Sequence, residues 1–202
     1  MQSVFAANTQ ASQRVIAARA TSDEVLLESI ADGGKAAMHV FYARHNVRIY
    51  KFILRIVRNA TVAEDVVSQV FLDVWRTASG FEGRSQVSTW LHAIARFKAL
   101  TALNRRRHED IEQNNVREIA EEADTPEILL DRNQTNVILR NCVAQLSPVH
   151  REIIDLFYYH EKSVEEVGEM IGIPQSTVKT RMFYARKQLV DLLTDAGVAS
   201  SH

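Results

Sequence analysis

The sequence predicts an all-α protein with two small helical domains joined by a flexible acidic linker, the C-terminal domain containing a helix-turn-helix. Its 202 residues include only 7 Gly and 3 Pro, too few for a turn-rich β fold. Apolar residues recur at helical spacing on both sides of a strongly acidic stretch. We predict a disordered extension over 1–21, an N-terminal domain over 22–107, the linker over 108–130, a C-terminal domain over 131–196 and a tail over 197–202.

The helix-turn-helix pattern begins at residue 163. Val164, Val167 and Met170 fall at helical spacing, and Gly172 can adopt the left-handed conformation that a sharp helix stop needs. Pro174 then stands where a second helix would begin. From 174 to 189 the chain carries four basic residues and no acidic one, which suits a helix that enters the DNA major groove. The alternative is an ordinary helical hairpin with a solvated basic face.

Charge is strongly segregated along the chain. Residues 76–107 hold seven basic residues and one acidic residue, a balance of +6 that indicates a phosphate-binding surface. Residues 108–131 hold nine acidic residues and one basic residue, a balance of −8. The second stretch is polar and weakly periodic, so it is interpreted as a linker between domains. A solvated acidic helix is the alternative for the same residues.

Periodicity predicts helices at 23–30, 35–57, 63–77, 88–107, 126–146 and 148–159, ahead of the helix-turn-helix. In the helix at 63–77, Asp65, Gln69 and Asp73 recur every four residues on the side opposite its apolar stripe. The inward residues predicted for this helix are Val66, Val67, Val70, Phe71 and Val74. For the helix at 35–57 the predicted core residues are Val40, Phe41, Val47, Tyr50, Leu54 and Val57.

Nothing in the sequence indicates an enzyme. The seven histidines are scattered without metal-ligand spacing, and no phosphate-binding glycine loop is present. We therefore expect no cofactor and no metal. The single cysteine, Cys142, is predicted to be a buried structural thiol, with a redox sensor as the alternative. Because no apolar run reaches the length of a membrane span and the N-terminus lacks a secretory signal, we expect a cytoplasmic regulator.

Several motifs, in this order, resemble those of bacterial sigma factors of the extracytoplasmic-function (ECF) group. AEDVVSQVFLDVW at 63–75 resembles the polymerase-binding helix of that family. FEG at 81–83 and STWLHAIAR at 88–96 resemble its promoter-melting loop and helix. LSPVHREII at 146–154 and the helix-turn-helix resemble its C-terminal domain. The resemblance implies a protein that binds core RNA polymerase and promoter DNA and is held inactive by an anti-sigma factor.

The resemblance also implies roles for particular residues. The surface that meets the clamp helices of the largest polymerase subunit would comprise Asp65, Gln69, Leu72, Asp73 and Arg76. Contacts to the minus-ten promoter element would come from Phe81, Arg84, Ser85, Ser88, Arg96, Phe97, Lys98, Arg105, Arg106 and Arg107. Contacts to the minus-thirty-five element would come from Gln175, Ser176, Thr177, Lys179, Thr180, Arg181, Arg186 and Lys187. The buried side of that last helix is predicted to be Val178, Met182, Ala185 and Leu189.

Two aromatic residues, Phe97 and Trp90, lie in the predicted minus-ten region. The family often has asparagine where this chain has Phe97, so the base that its pocket prefers does not carry over. Trp90 lies in phase with Leu91 and Ile94, which predicts a core position for its ring, with stacking on a base as the alternative. The resemblance further implies that the acidic linker threads the positively charged cleft of polymerase.

Two other classes of protein remain open from the residues alone. A free-standing DNA-binding repressor with an N-terminal sensor domain would bind its operator without polymerase. A protein-interaction module, such as a sigma antagonist, would bind a protein surface and would not need the basic stretch at 96–107. Run-off transcription with purified core polymerase on the chain's own upstream DNA distinguishes these alternatives from a sigma factor.

Overall fold

A computed structural model describes residues 21–112 and 134–198 of the chain. Residues 1–20 of the predicted N-terminal extension, most of the predicted linker and the last four residues of the tail lie outside these ranges. The chain divides into two compact units, Met1–Ala120 and Glu121–His202, which we name the N-terminal and C-terminal units. Every element assigned in the described residues is helical, as the sequence predicts.

The described part of the N-terminal unit is a bundle in which α2, α3 and α4 pack against one another and α1 packs against α2. Ser22 caps α1 by accepting a hydrogen bond from the Val25 backbone amide at 3.4 Å. Asn59 caps α3 in the same way, accepting from Val62 at 2.9 Å, so this helix starts three residues before the predicted position 63. The elements are α1 (Asp23–Ala31), α2 (Lys35–Val57), α3 (Ala60–Thr77), a 3₁₀ turn (Ala78–Gly80) and α4 (Val87–Glu112).

The prediction for the core side of α2 was largely wrong. Phe41 and Val57 are buried as predicted, but Val40, Tyr50 and Leu54 are only half-buried and Val47 is exposed. The buried positions are instead Phe41, Ile49, Phe52, Ile53 and Val57. This 23-residue helix carries two apolar stripes at helical spacing, and contact with α1, α3 and α4 decides which of them is covered.

By contrast, the inward side of α3 was predicted correctly, since all five predicted residues are buried. The end of α4 was not, because the helix runs to Glu112 and so includes residues 108–112, which were assigned to the linker. Neither glycine nor proline interrupts the sequence there, and nothing local stops the helix.

A polar cluster holds the start of α1 against α2. Asp23 forms an ion pair with Arg44, and the Nε2 atom of His45 lies 2.9 Å from the Asp23 carboxylate. Arg44 also donates to the Thr21 carbonyl at 2.9 Å. Burial acts to raise the pKa of Asp23, but the hydrogen bonds and charges of His45 and Arg44 outweigh it and hold the pKa below its ordinary value of 3.8.

Replacing Asp23 by Asn is expected to lower the free energy of unfolding at neutral pH by on the order of 0.5–1 kcal/mol. Because the folded pKa is depressed, the contribution of Asp23 is present above pH 3.8 and is lost as the pH falls through the folded pKa. Thermal melts of parent and Asp23→Asn should therefore differ at pH 7 and converge in strong acid. Glu24→Gln, an exposed change in the same helical turn, is the control; an equal loss in both variants would contradict the ion-pair explanation.

The described part of the C-terminal unit contains α5 (Gln134–Gln145), α6 (Pro148–Tyr158), α7 (Val164–Ile171) and α8 (Gln175–Asp195). The predicted start of the first of these helices, at 126, lies outside the described residues. Arg151 at the start of α6 donates to the Val143 carbonyl at the end of α5, at 3.3 Å, and to the carbonyl of Leu146, the residue after that helix, at 3.0 Å. Cys142 is buried, as predicted.

The helix-turn-helix forms where the sequence places it. Ser163 and Glu166 make a capping box, with 3.2 Å from the Glu166 amide to the Ser163 hydroxyl and 2.9 Å from the Ser163 amide to the Glu166 carboxylate. Gly172 ends α7 with φ +75°, a conformation that favours glycine. Pro174 is the residue immediately before α8, one position outside the predicted helix start.

Candidate polymerase and nucleic-acid interfaces

The predicted polymerase-binding residues share the outer side of α3. Asp65, Gln69 and Arg76 are exposed, and Leu72 is 46% exposed at the middle of this surface. The opposite side of the helix is fixed in the core by Ala63, Val66, Val70 and Val74, so the outer residues are held on a rigid element. A surface with one exposed apolar residue among charged and amide groups suits a specific, reversible protein interface.

The fifth residue of this set, Asp73, is partly covered by α4. The Nζ atom of Lys98 lies 2.7 Å from its carboxylate, and the two side chains are 24% and 31% exposed. Lys98 was predicted to contact promoter DNA and Asp73 to contact polymerase. The structure brings the two predicted sites together at this ion pair.

Between α3 and α4 lies an open polar cleft of about 340 Å³. Asp65 and Gln69 line it from α3, and Ala102, Arg105 and Arg106 line it from α4. The basic end of α4 therefore stands beside the acidic and amide groups of α3. Sequence reasoning assigned these two groups to different partners and did not place them along the same cleft.

The predicted melting loop follows the 3₁₀ turn. Phe81 lies against Trp90 with 5.4 Å between ring centroids, and both residues are half-buried, so Trp90 is only partly in the core. Of its predicted companions, Leu91 is fully buried and Ile94 is half-buried. In the loop, Arg84 is exposed and pairs with Glu82. The other predicted residues here, Ser85 and Ser88, are half-buried.

The predicted minus-ten residues of α4 divide between two sides of the helix. Lys98, Arg105 and Arg106 lie on the side toward α3. Arg96 and Arg107 are turned away from Lys98 by about 160–180° at 3.6 residues per turn. Phe97 is 68% exposed. The structure thus separates residues that the sequence treated as one phosphate-binding stretch.

In the C-terminal unit, the predicted minus-thirty-five residues lie along α8. Gln175, Ser176, Lys179, Thr180 and Lys187 are exposed, whereas Thr177 and Arg181 are half-buried. Val178, Met182 and Ala185 form the buried side as predicted, and Leu189 is half-buried rather than buried. Arg186 is exposed, and its Nε donates to the Tyr158 hydroxyl at 3.1 Å, which orients the guanidinium.

Two exposed aromatic residues on α8 were missed by sequence reasoning. Phe183 and Tyr184 are 64% and 54% exposed, and their ring centroids are 5.4 Å apart. Phe183 borders an apolar groove of about 530 Å³ that Phe157, Val164 and Val190 also line. The available signal was the position of Phe183, four residues after Lys179 and thus on the same side of the helix.

The turn before α7 also contains buried polar side chains that the sequence did not reveal. His160 lies 3.3 Å from the Asp155 carboxylate, and its side chain is 2% exposed. Lys162 is 6% exposed and pairs with the capping-box residue Glu166 at 3.2 Å. These pairs fix the turn that sets the start of the helix-turn-helix.

Within residues 21–112 and 134–198, no group of histidine, cysteine and acidic residues could hold a metal ion. The same described residues contain no helix that is both long enough and apolar enough to cross a membrane.

Comparison with known proteins identifies both units. Residues 41–109 match the family Sigma-70 region 2, and residues 142–190 match Sigma-70, region 4. The RNA polymerase sigma factor CarQ of Myxococcus xanthus is 31% identical over 170 residues, which cover 83% of this chain and 95% of CarQ. The ECF RNA polymerase sigma factor SigK of Mycobacterium sp. strain KMS is 29% identical over 80% of this chain and 86% of its own length. The chain belongs to the ECF group of RNA polymerase sigma factors.

As an ECF sigma factor the protein directs promoter-specific transcription initiation, and it is not an enzyme. The Sigma-70 region 2 match covers most of α2, all of α3 and most of α4, whereas the region 4 match runs from the end of α5 into α8. Membership of this group decides against a free-standing repressor and against a sigma antagonist.

The fold agrees with this assignment. The solved structure of the sigma factor RpoE with the anti-sigma factor NepR from Bartonella quintana matches with a TM-score of 0.60. The match covers 76% of this ECF sigma factor and 94% of that chain, at 21% sequence identity. At this identity the comparison establishes the fold alone.

Proposed function

We propose that this ECF sigma factor reads two promoter elements with its two units and binds core polymerase with the outer side of α3. In this proposal the N-terminal domain, 22–107, recognises the minus-ten element and the C-terminal domain, 131–196, recognises the minus-thirty-five element. The observation that carries it is the outer side of α8, which follows directly after a sharp turn and belongs to a stretch, 174–189, with four cations and no acid. That combination suits the major groove and its phosphates.

Along α8 the kind of proposed DNA contact changes with position. Gln175, Ser176 and Thr177 occupy the first turn, where a recognition helix meets base edges. Lys179, Thr180 and Arg181 follow in the next turn. Arg186 and Lys187, further along, would contact phosphates, and the hydrogen bond from Arg186 to Tyr158 supports this by limiting the freedom of its side chain.

In the N-terminal unit, the loop at 81–86 would receive a base flipped from the non-template strand. Unpairing a base costs a few kcal/mol, which aromatic stacking and neighbouring cations must offset. Phe81, held against Trp90, and the exposed Phe97 supply aromatic surface, while Arg84 and Arg96 supply cations and Ser85 and Ser88 supply hydroxyl groups.

Run-off transcription tests the proposed function. Core polymerase from the host, combined with the purified chain, should initiate on the chain's own upstream DNA. Blocks of substitutions across either predicted promoter element should each abolish the specific transcript. If transcription required only one of the elements, the assignment of one promoter element to each unit would be wrong.

We also propose a cytoplasmic location and control by an anti-sigma factor. The anti-sigma factor in the RpoE structure supports this second point by analogy with that protein. An antagonist that covers both DNA-binding and polymerase-binding surfaces would hold the two units together.

Small-angle scattering should then give a larger radius of gyration for the free chain than for the same chain in its inhibited complex, after the antagonist's own contribution to the scattering is subtracted. Equal compactness in both states would argue against such clamping.

The acidic linker yields a separate prediction, although its key residues, Glu118, Glu121, Glu122 and Asp124, lie outside the described residues. About twenty extended residues span roughly 70 Å, enough to let the two units reach separate promoter elements. The part of the linker beyond α4, 113–130, holds five acidic residues and one basic residue, and this balance of −4 repels DNA. We therefore infer that the linker occupies the positively charged polymerase cleft. Neutralising these four residues to Gln or Asn should leave holoenzyme binding to the promoter within about twofold while changing the yield of abortive RNA.

Abortive and full-length products would be counted on the same gel, and promoter affinity would be measured in parallel. Neutralisation of four acids on helix surfaces elsewhere, Glu24, Glu28, Glu165 and Glu169, controls for the change in net charge. A linker variant that matched the parent in both assays would make the linker a passive tether.

A further inference from the structure

The cations of α4 do not all face the same way, and their positions follow from the core. Leu91, Ala95 and Ala99 are fully buried against the bundle. Continuing that same side of the helix by one and two turns reaches Ala102 and Arg106. The buried side of α4 thus emerges at the surface beside α3, where Lys98, Arg105 and Arg106 take the place of apolar residues.

The charged groups of α3 that lie beside these three cations are carboxylates. Lys98 pairs with Asp73 at 2.7 Å, and Arg105 and Arg106 line the cleft of about 340 Å³ opposite Asp65 and Gln69. A phosphate that approached Lys98 would come close to the Asp73 carboxylate, and one that entered the cleft would meet Asp65. Like charges at such distances repel, so this side of α4 is a poor surface for a nucleic-acid backbone.

The same mixture of charges suits a protein partner. A polar cleft with carboxylate and amide groups on one wall and guanidinium groups on the other can accept both acidic and basic side chains. It is continuous with the outer side of α3 that carries Asp65, Gln69 and Leu72. On the far side of α4, Arg96 and Arg107 are not on this cleft and face another direction.

Resting on the proposed function, we propose that Lys98, Arg105 and Arg106 belong to the polymerase-binding surface of this sigma factor. In this assignment the α3–α4 cleft receives side chains of core polymerase, and α4 divides its cations between two partners. Arg96 and Arg107 remain for DNA phosphates. The polymerase interface then spans two helices instead of the single outer side of α3.

Two full-length double variants on the same helix provide a matched comparison, Arg105→Gln/Arg106→Gln and Arg96→Gln/Arg107→Gln. Each removes two positive charges. Affinity for core polymerase would be titrated without DNA. Affinity for a fluorescent 20-nucleotide oligo(dT) would be titrated with the free chain at low salt, since phosphate contacts do not depend on sequence. Circular dichroism and thermal melts would confirm that every variant is folded.

We expect Arg105→Gln/Arg106→Gln to weaken core binding at least tenfold and to change oligo(dT) binding less than the other pair does. Arg96→Gln/Arg107→Gln should bind core within about twofold of the parent. For two lost phosphate contacts on a single strand, its salt dependence for oligo(dT) should fall in slope by about 1.4. The reverse pattern, or equal effects in the two variants, would overturn the assignment.

Ala102→Lys supplies a test that removes no cation, in case the first double variant does not fold. Ala102 is half-buried in the cleft, and lysine is a good helix former. The added side chain should obstruct the cleft and weaken core binding at least tenfold without weakening oligo(dT) binding. Tighter oligo(dT) binding with core affinity unchanged would show that this side faces DNA. If the parent chain itself failed to bind core polymerase, the proposed function would fail, independently of this assignment.

Discussion

Reversing the charges of Asp65 and Asp73 to Lys is expected to abolish binding to core RNA polymerase while the chain stays folded. Both residues lie on the outer half of α3, away from the buried stripe that contains Val66 and Val70. Truncating one partner of a buried charge pair at an interface costs about 2–5 kcal/mol, and reversal adds repulsion. Two such changes should weaken core binding by more than about a thousandfold, as each 1.4 kcal/mol is tenfold.

Fluorescence titration of labelled chain with core polymerase measures the loss directly. Because Asp73 pairs with Lys98, its reversal places two cations together, so Asp65→Lys alone is measured as well to separate this local repulsion. Glu64→Lys is the control, since Glu64 is an exposed acid on the same helix but outside the predicted surface. Retention of parental affinity by the double variant would remove α3 from the polymerase interface.

The second large effect is expected from Val178→Asp, which should unfold the C-terminal unit and leave the N-terminal unit folded. Val178 is fully buried at the start of α8 and faces Gly168 of α7, where an added Cβ would lie 3.8 Å from its Cγ2. The substitution loses about 1.5–3 kcal/mol of apolar burial and places a carboxylate in the core at several kcal/mol more. That total is comparable to the whole stability of a small helical domain, about 0.05–0.15 kcal/mol per residue.

NMR spectra would show whether residues of α6, α7 and α8 lose their chemical-shift dispersion while residues of α2, α3 and α4 keep theirs. Specific transcription that depends on the minus-thirty-five element should disappear, whereas binding to core polymerase through the N-terminal unit should remain measurable. Val178→Ile, a change that keeps the site apolar, should retain both activities. A cooperative loss of both units in Val178→Asp would mean that the two units do not fold independently.

The predicted sites differ in how much of each could be predicted from the sequence alone. The outer side of α3 was accessible because Asp65, Gln69 and Asp73 recur every four residues opposite an apolar stripe, so a single helix defines it. The sequence could not predict which cations of α4 face α3 and which face away, because this depends on where α3 packs against that helix. The exposed pair Phe183 and Tyr184 was missed because the prediction for this helix assigned only its polar residues and its buried side, and neither aromatic residue belonged to those two sets.

By itself, the sequence determined the local features of this protein: its helical class, the helix-turn-helix with its glycine stop, the inward side of α3 and the ordered motifs of its family. Each of these depends on residues within a few turns of one another, where backbone conformation and helical spacing decide the outcome. Only the tertiary structure decided which stripe of α2 is buried, how Asp73 meets Lys98 and which cations of α4 border the α3 cleft. These depend on contacts between residues distant in the chain, and a helix with two apolar stripes or cations all around it is compatible with more than one packing until its neighbours are in place.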